Sequence, residues 1–93
     1  MKWIAYWEWK PEDADKVLEK YTKMTEIRKK PTDLYPKSLF GPHYTGPGEG
    51  FTLLEGDEHQ LINWMLFYFP EMRITYLPLL DAVEVAEKYR KLK

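Results

Sequence analysis

The pattern of hydrophobic and polar residues predicts four strands and three helices. Strands are expected at 2–9, 38–44, 51–55 and 72–79, where aromatic and β-branched side chains cluster between turn residues. Helices are expected to begin near Pro11, Asp57 and Asp81, where apolar residues start to recur at spacings of three and four. The segments 31–36 and 45–50, which contain proline or glycine, are predicted to be connections.

Local signals support the three helix starts. Proline is favoured at the first helical position, so Pro11 opens the first helix, which is expected to end near Lys30. The buried stripe of this helix is expected to comprise Ala14, Val17, Leu18, Tyr21, Met24 and Ile27. Each later helix starts with a pair at capping-box spacing, Asp57 with Gln60 and Asp81 with Glu84.

The first strand cannot be divided into a solvent-exposed face and a buried face. Successive side chains of a strand point to opposite sides, so Trp3, Ala5, Trp7 and Trp9 share one side. Ile4 and Tyr6 point to the other side, so both sides need cover. The helices of a chain this short can cover one face of a small sheet, and the second face is expected to meet a second copy or a ligand. Alternatively, the terminal helix folds over the second face.

The order of the elements is that of a split βαβ fold. Strand, helix, strand, strand, helix, strand predicts an α+β, ferredoxin-like βαββαβ domain over residues 1–93, with a four-stranded antiparallel sheet plus a C-terminal helix. In the usual sheet order, 4-1-3-2, the second and fourth strands lie at the edges. Pro42 and Pro78 fall in those two strands, where a missing N–H is tolerated.

Composition narrows the class of protein. A net charge of −1 argues against a general nucleic-acid binder, and the chain has no cysteine for thiolate metal sites or nucleophiles. No apolar run approaches the ~20 residues of a membrane span, and no secretory signal is visible, so a cytoplasmic location without membrane attachment is expected. The Lys/Glu-rich, amide-poor profile is typical of hyperthermophile proteins.

Three segments carry a resemblance to a known family. KWIAYWEWKPEDADKV, YPKSLFGPHYTG and YLPLLDAVEVAEKY resemble a family of small, mostly archaeal proteins of unknown function. That family is similar to the dimeric α+β-barrel superfamily, in which two ferredoxin-like protomers press their sheets together. The resemblance implies a homodimer, and a pocket between the sheet and the helices of each protomer. Better understood members of the superfamily include cofactor-free monooxygenases, small isomerases, polyketide cyclases and stress-response proteins.

His43 is the main candidate for chemistry, because imidazole titrates near neutrality. It is a candidate general base, with tyrosines orienting the substrate, or a structural residue that hydrogen-bonds a loop carbonyl. The candidates for lining a ligand pocket are Tyr6, His43, Tyr44, Trp64, Arg73 and Tyr76. The candidates for a dimer interface are Trp3, Ile4, Trp7, Leu39, Leu53 and Leu77. Arg73 is alternatively a cross-strand partner of Glu8.

No metal site or cofactor is expected. The two histidines lie in different elements without an i, i+4 partner, and the glycines near the second turn lack the lysine of a phosphate-binding loop. Three functions stay open. The first is a non-enzymatic protein that binds a small apolar or aromatic molecule or serves a stress-related role. The second is a cofactor-independent monooxygenase, isomerase or cyclase that uses His43, and the third is a structural interaction module.

Overall fold

Four strands and three helices form the chain in a computed structural model that describes residues 1–93. The strands are β1 (Lys2–Glu8), β2 (Lys37–Gly46), β3 (Glu49–Glu55) and β4 (Arg73–Pro78). The helices are α1 (Ala14–Ile27), α2 (Glu58–Tyr68) and α3 (Ala82–Leu92). A single 3-10 turn at Pro11–Asp13 leads into α1. The predicted α+β class, with a four-stranded antiparallel sheet and three helices, is therefore confirmed.

The strands form one antiparallel sheet in the order β2-β3-β1-β4. Pro42 lies in β2 and Pro78 at the end of β4, so both prolines are in edge strands. The two central strands contain no proline and pair along their whole length, from Lys2 opposite Glu55 to Glu8 opposite Glu49. This architecture is compatible with a ferredoxin-like fold.

The pairing register divides the side chains of the sheet between two faces. Ala5 of β1 lies opposite Thr52 of β3 and Tyr76 of β4, and these residues belong to the face on which α1 and α2 pack, called here the covered face. The neighbouring positions point the other way and form the open face. The open face comprises Ile4, Tyr6, Phe51, Leu53, Thr75 and Leu77, with Phe40 and His43 of β2 beside them.

The core lies between the covered face and the helices. Ala5 and Leu54 of the sheet are fully buried, and Val17 and Met24 of α1 pack against them with Trp64 of α2. Only 12 of the 93 residues are buried, so the core is small. The stability of the chain therefore depends on few buried side chains.

Helix α3 projects away from the rest of the molecule. It approaches no other helix or strand, and none of its residues is buried. Because of this projection the molecule measures 52 × 30 × 19 Å. The alternative in which the terminal helix covers the second face of the sheet is not the arrangement seen here, and the open face is uncovered within the chain.

The turn between β2 and β3 is shorter than the sequence predicts. β2 and β3 extend through most of the predicted connection, and only Pro47 and Gly48 remain between them. Gly48 has a positive φ of 70°, and its carbonyl accepts a hydrogen bond of 2.8 Å from the backbone N–H of Trp9. This bond ties the turn to the end of β1. Glycine suits that backbone conformation because it has no Cβ.

The predicted helix starts have different outcomes. The capping box of Asp57 and Gln60 is confirmed, with both reciprocal hydrogen bonds present. Asp81 is the N-cap of α3, but its carboxylate accepts from the backbone N–H of Val83, and no capping box forms with Glu84. Glu84 instead pairs with Lys88 one turn later.

Candidate functional site

A cavity of about 410 Å³ lies between the covered face of the sheet and helices α1 and α2. Such a volume lies within the range of small-molecule sites. The amphipathic pattern of α1 places one side of that helix over the sheet, and Val17, Tyr21 and Met24 form the roof of the cavity. Thr52 of β3 belongs to the floor. The cavity is partly open to solvent, and Gly41 and Pro42 of β2 also line it.

Three aromatic rings form one wall of the cavity. The indoles of Trp7 and Trp9 are stacked, with ring centroids 5.3 Å apart and planes 12° apart. Tyr44 meets both edge-on, at 5.2 Å from Trp7 and 5.8 Å from Trp9. The indole N–H of Trp7 donates to Thr52 Oγ1 at 3.0 Å, which fixes the ring. Offset and edge-on contacts of this kind stabilise a rigid apolar surface.

Gly50 makes this wall possible. It lies opposite Trp7 in β1 and Tyr44 in β2. A Cβ at this position would overlap the Trp7 ring and the carbonyl oxygen of His43. The Trp7 ring therefore lies directly over the backbone of β3, which is a use of glycine for close approach.

Helix α2 supplies the deeper wall. The rings of Trp64 and Tyr68 meet edge-on at 5.3 Å, and both residues are at least 95% buried. The indole N–H of Trp64 has no hydrogen-bond acceptor within the chain. Burial raises the pKa of the Tyr68 hydroxyl, and the nearby Arg28 charge only partly opposes that rise. Tyr68 is therefore a neutral phenol over the whole physiological pH range.

The charges of the cavity are all positive. Of its 17 lining residues, Arg28 and Lys29 are the only charged ones, and none is acidic. Lys29 Nζ lies 2.9 Å from a carboxylate oxygen of Glu26. Arg28 has no carboxylate within ion-pair distance. Burial lowers the pKa of the Arg28 guanidinium, which still stays charged because its ordinary pKa is so high.

Two of the predicted pocket residues, Tyr44 and Trp64, line the cavity. Tyr76 lies on the covered face but behind the cavity wall, where its hydroxyl donates to the Leu61 carbonyl at 2.7 Å. Burial raises the pKa of that hydroxyl. Tyr6 and Arg73 line a second, more polar depression of about 340 Å³ on the open side of the sheet. The predicted cross-strand pair of Arg73 and Glu8 is present there, with 3.8 Å between charged atoms.

His43 lies on the opposite face of the sheet from the cavity. Its ring packs 4.4 Å from the ring of Phe40 and 6.0 Å from that of Phe51, and the residue is exposed. The sheet itself separates this imidazole from the cavity. His59, on α2, is also exposed and lies 3.4 Å from the side-chain nitrogen of Asn63.

The predicted interface residues fall on both faces. Ile4, Leu53 and Leu77 share the open face in direct register. Leu39 is exposed on the edge strand β2, next to a register shift. Trp3 and Trp7 lie on the covered face, where their indole N–H groups donate to the Gly56 carbonyl and to Thr52. Both indoles are thus used within the protomer.

Arg28 is one of the cavity residues that the sequence analysis missed. It continues the stripe of α1 at the spacing Tyr21, Met24, Arg28, so a cation follows apolar residues on the same side of the helix. The sequence signal is therefore a charged residue at the helical spacing of an apolar stripe. Val17 and Met24 are predicted as core residues of α1. In the structure they belong to the core and also line the cavity.

Comparisons with known proteins give no relative for this chain. No family model matches it, and neither curated proteins nor solved structures yield a match. No group of three or more His, Cys, Asp or Glu side chains is placed to hold a metal ion. None of the helices combines the length and the apolar character that crossing a bilayer requires.

Proposed function

We propose that this protein binds a small apolar or aromatic molecule in the cavity between the sheet and α1. The observation that carries the proposal is the cavity itself, about 410 Å³ in a chain with only 12 buried residues. A small protein gains stability by filling its core, since lost contacts around a void are costly. A space of this size, walled by Trp7, Trp9 and Tyr44, is therefore best explained by a ligand that completes the packing.

Binding is better supported than catalysis. A general base has to lie within hydrogen-bond reach of the proton it removes. The candidate base His43 is on the open face, and the phenols nearest the cavity are kept neutral by burial or line its wall as apolar rings. An interaction module without a ligand would have no use for the cavity. The geometry thus favours a ligand-binding protein over both alternatives.

The proposal is tested with N-phenyl-1-naphthylamine, a neutral aromatic probe that fluoresces in apolar surroundings. Thr25 lines the cavity from α1 and is exposed, so Thr25→Trp should fill the entrance without disturbing the core. Thr22 is the matched control, because it is equally exposed and lies outside the cavity. Both hydroxyls donate to the carbonyl four residues earlier at 3.0 Å.

We expect saturable binding of the probe that Thr25→Trp weakens at least about tenfold, a loss of about 1.4 kcal/mol. Thr22→Trp should bind the probe as the unchanged protein does. If neither substitution alters binding, or if the unchanged protein does not bind the probe, the cavity is not a ligand site.

We further propose that the protein is a homodimer that associates through the open face. Four strands about 4.8 Å apart and about 17 Å long present roughly 330 Å² in projection, and the accessible area is larger. An exposed apolar patch of this size is unusual for a monomer. Ile4, Leu53 and Leu77 are its centre, and no segment of the chain covers them.

Light scattering on two leucine variants tests the dimer. Leu77 on the open face is 49% exposed, and Leu66 on the outer side of α2 is 57% exposed, so replacing either by Lys costs a protomer little. Leu77→Lys should shift the protein toward monomers, and Leu66→Lys should leave its mass unchanged. A monomeric unchanged protein, or a dimer equally tolerant of both changes, would contradict this assembly.

A further inference from the structure

We propose that the cavity selects molecules that carry an anionic head group, such as a carboxylate, on an apolar or aromatic body, and that Arg28 binds the head group. This inference rests on the proposed function and adds the ligand class. It begins from the charges of the lining, which are positive at Arg28 and Lys29 and nowhere negative.

Arg28, the C-cap residue of α1, differs from the lysines of that helix and from Lys29, which follows it. Lys16, Lys20, Lys23 and Lys29 each have a carboxylate within 4.0 Å. Arg28 has none, although it is half-buried at the edge of the cavity and the four lysines, apart from Lys20, are exposed. A partly buried charge without a partner is unfavourable, and an anion on a bound molecule would neutralise it. The cation that most needs a partner is thus the one that faces the ligand space.

The position of Arg28 at the end of α1 does not by itself account for its burial. A cation near a helix C-terminus complements the helix dipole whether it is buried or exposed. Lys29 and Lys30 follow directly after the C-cap residue Arg28 and remain in solvent. Arginine also offers a planar set of donors that matches a carboxylate or sulfonate in two-point geometry.

Neutral donors lie in the same cavity. Burial raises the pKa of Tyr68, so its hydroxyl keeps its proton. Tyr21 and Tyr44, which also carry hydroxyl groups, line the cavity as well. The lining has no carboxylate or amide side chain, so its side-chain oxygens all belong to hydroxyls, and that of Thr52 already accepts from Trp7. A ligand rich in acceptors at one end therefore suits the polar part of the cavity, and its body would lie along the stacked indoles.

The test uses two probes with one aromatic framework. 8-Anilino-1-naphthalenesulfonate is N-phenyl-1-naphthylamine with an added sulfonate, so the pair isolates the contribution of the anion. Arg28→Met removes the charge and keeps an unbranched apolar side chain. Lys30→Met is the matched control, since Lys30 is exposed, unpaired and outside the cavity. Thr25→Trp is measured beside them, and only binding that this substitution weakens is assigned to the cavity.

Arg28→Met should weaken the sulfonate probe at least about tenfold, as expected for a charge-assisted hydrogen bond, and change the neutral probe less than about twofold. Arg28→Lys should retain part of the sulfonate affinity, and Lys30→Met all of it. Equal loss of both probes, or an unchanged sulfonate affinity, overturns the inference while leaving the proposed function intact. Absence of neutral-probe binding overturns the proposed function instead.

A second measurement needs no variant. Raising the salt concentration from about 0.05 M to about 0.5 M should weaken the sulfonate probe and leave the neutral probe unchanged or slightly tighter, because salt screens charges and not apolar contacts. If both probes respond to salt alike, no protein charge contributes to binding of the sulfonate probe. This measurement is informative even if Arg28→Met does not fold.

Discussion

The two faces of the sheet have similar apolar side chains and opposite surroundings. On the covered face, Leu54 is fully buried beneath the helices. On the open face its neighbour Leu53 has only the adjacent strands beside it, and Leu77 is 49% exposed. The difference arises from the number of helices available, since α1 and α2 cover one face and α3 points away. The apolar side chains of a strand thus show that a face of the sheet is unfavourable in water. Which element buries that face depends on the rest of the molecule.

The largest expected contrast between the faces is at the adjacent leucines of β3. Leu54→Ala should lower the free energy of unfolding by about 3–5 kcal/mol, because it leaves a void in a fully buried site. Leu53→Ala should cost a dilute protomer about 1 kcal/mol or less, since Leu53 is only half-buried. Urea unfolding at low protein concentration measures both. Equal losses would mean that the open face is as well packed as the covered one.

The glycines of the β2–β3 hairpin give the next contrast. Gly50→Ala should destabilise the protein by about 1–3 kcal/mol, because the new methyl group would overlap the Trp7 ring and the His43 carbonyl. At Gly46 the methyl group would meet only the movable end of the Glu49 side chain, so Gly46→Ala should be nearly neutral. Thermal unfolding compares them, and neutral-probe binding should fall only for Gly50→Ala. A neutral Gly50→Ala would show that Trp7 does not lie over β3.

Two tyrosines on opposite faces give a smaller effect. Tyr76→Phe removes the 2.7 Å hydrogen bond to the Leu61 carbonyl and should cost about 1 kcal/mol. Tyr6→Phe should cost little, because Tyr6 is exposed on the open face. Denaturant unfolding at neutral pH measures both variants. A larger loss for Tyr6→Phe would mean that the Tyr6 hydroxyl has a partner outside the protomer.

Two buried tyrosines, Tyr76 and Tyr68, determine how stability responds to alkaline pH. Burial raises the pKa of Tyr76 and Tyr68 above the ordinary value of 10.0, so their contribution to stability is complete below pH 10. Above that pH the unfolded chain loses phenolic protons that the folded chain retains, and stability falls. The fall should be shallower in Tyr76→Phe than in Tyr6→Phe. Identical slopes in the two variants would contradict the assigned burial of Tyr76.

The smallest expected effect concerns the polar rim of the covered face. Lys20 Nζ donates to the Phe69 carbonyl at 2.9 Å and lies 3.2 Å from Glu71, which links α1 to the turn after α2. Burial alone would raise the pKa of Glu71, but the hydrogen bonds from Lys20 and the backbone and the nearby lysine charges lower it. The stabilisation is therefore present at neutral pH and lost as pH falls below the ordinary value of 4.5.

Glu71→Gln should lower the melting temperature slightly at pH 7 and flatten its decline in acid. Glu84→Gln, in the exposed pair with Lys88 on α3, is the control and should change neither. A Glu71→Gln variant with an unaltered acid response would show that the pair contributes nothing to stability.

The elements of the fold were predictable because their signals are local. Pro11 and the pair of Asp57 with Gln60 mark helix starts by their own backbone chemistry, and the latter forms the predicted box. Asp81 with Glu84 has the same spacing and does not, since Lys88 one turn on attracts the Glu84 carboxylate. The hairpin turn was predicted too long because Gly46 and Glu49, which composition marks as turn residues, pair with each other, and Glu49 also pairs with Glu8 of β1, a distant residue.

The candidate site was less predictable, because a cavity depends on how elements pack. Tyr44 and Trp64 were expected in a pocket as aromatic residues, and both line the cavity. Tyr6 and His43 alternate with covered-face neighbours in their strands, and the register that places them on the open face was not known in advance. Arg28 carried a readable signal in its helical spacing, but its lack of a carboxylate partner is a property of three-dimensional structure alone.

Helix α3 has a consequence for experiments on the whole chain. An isolated helix of 11 residues is marginal in water, and α3 has no buried residue. Its backbone amides should therefore exchange with solvent rapidly in the chain alone, and slowly when another surface shields Val85 and Tyr89. Hydrogen–deuterium exchange at the amides of α3 therefore reports whether another molecule or another copy of the chain covers this helix.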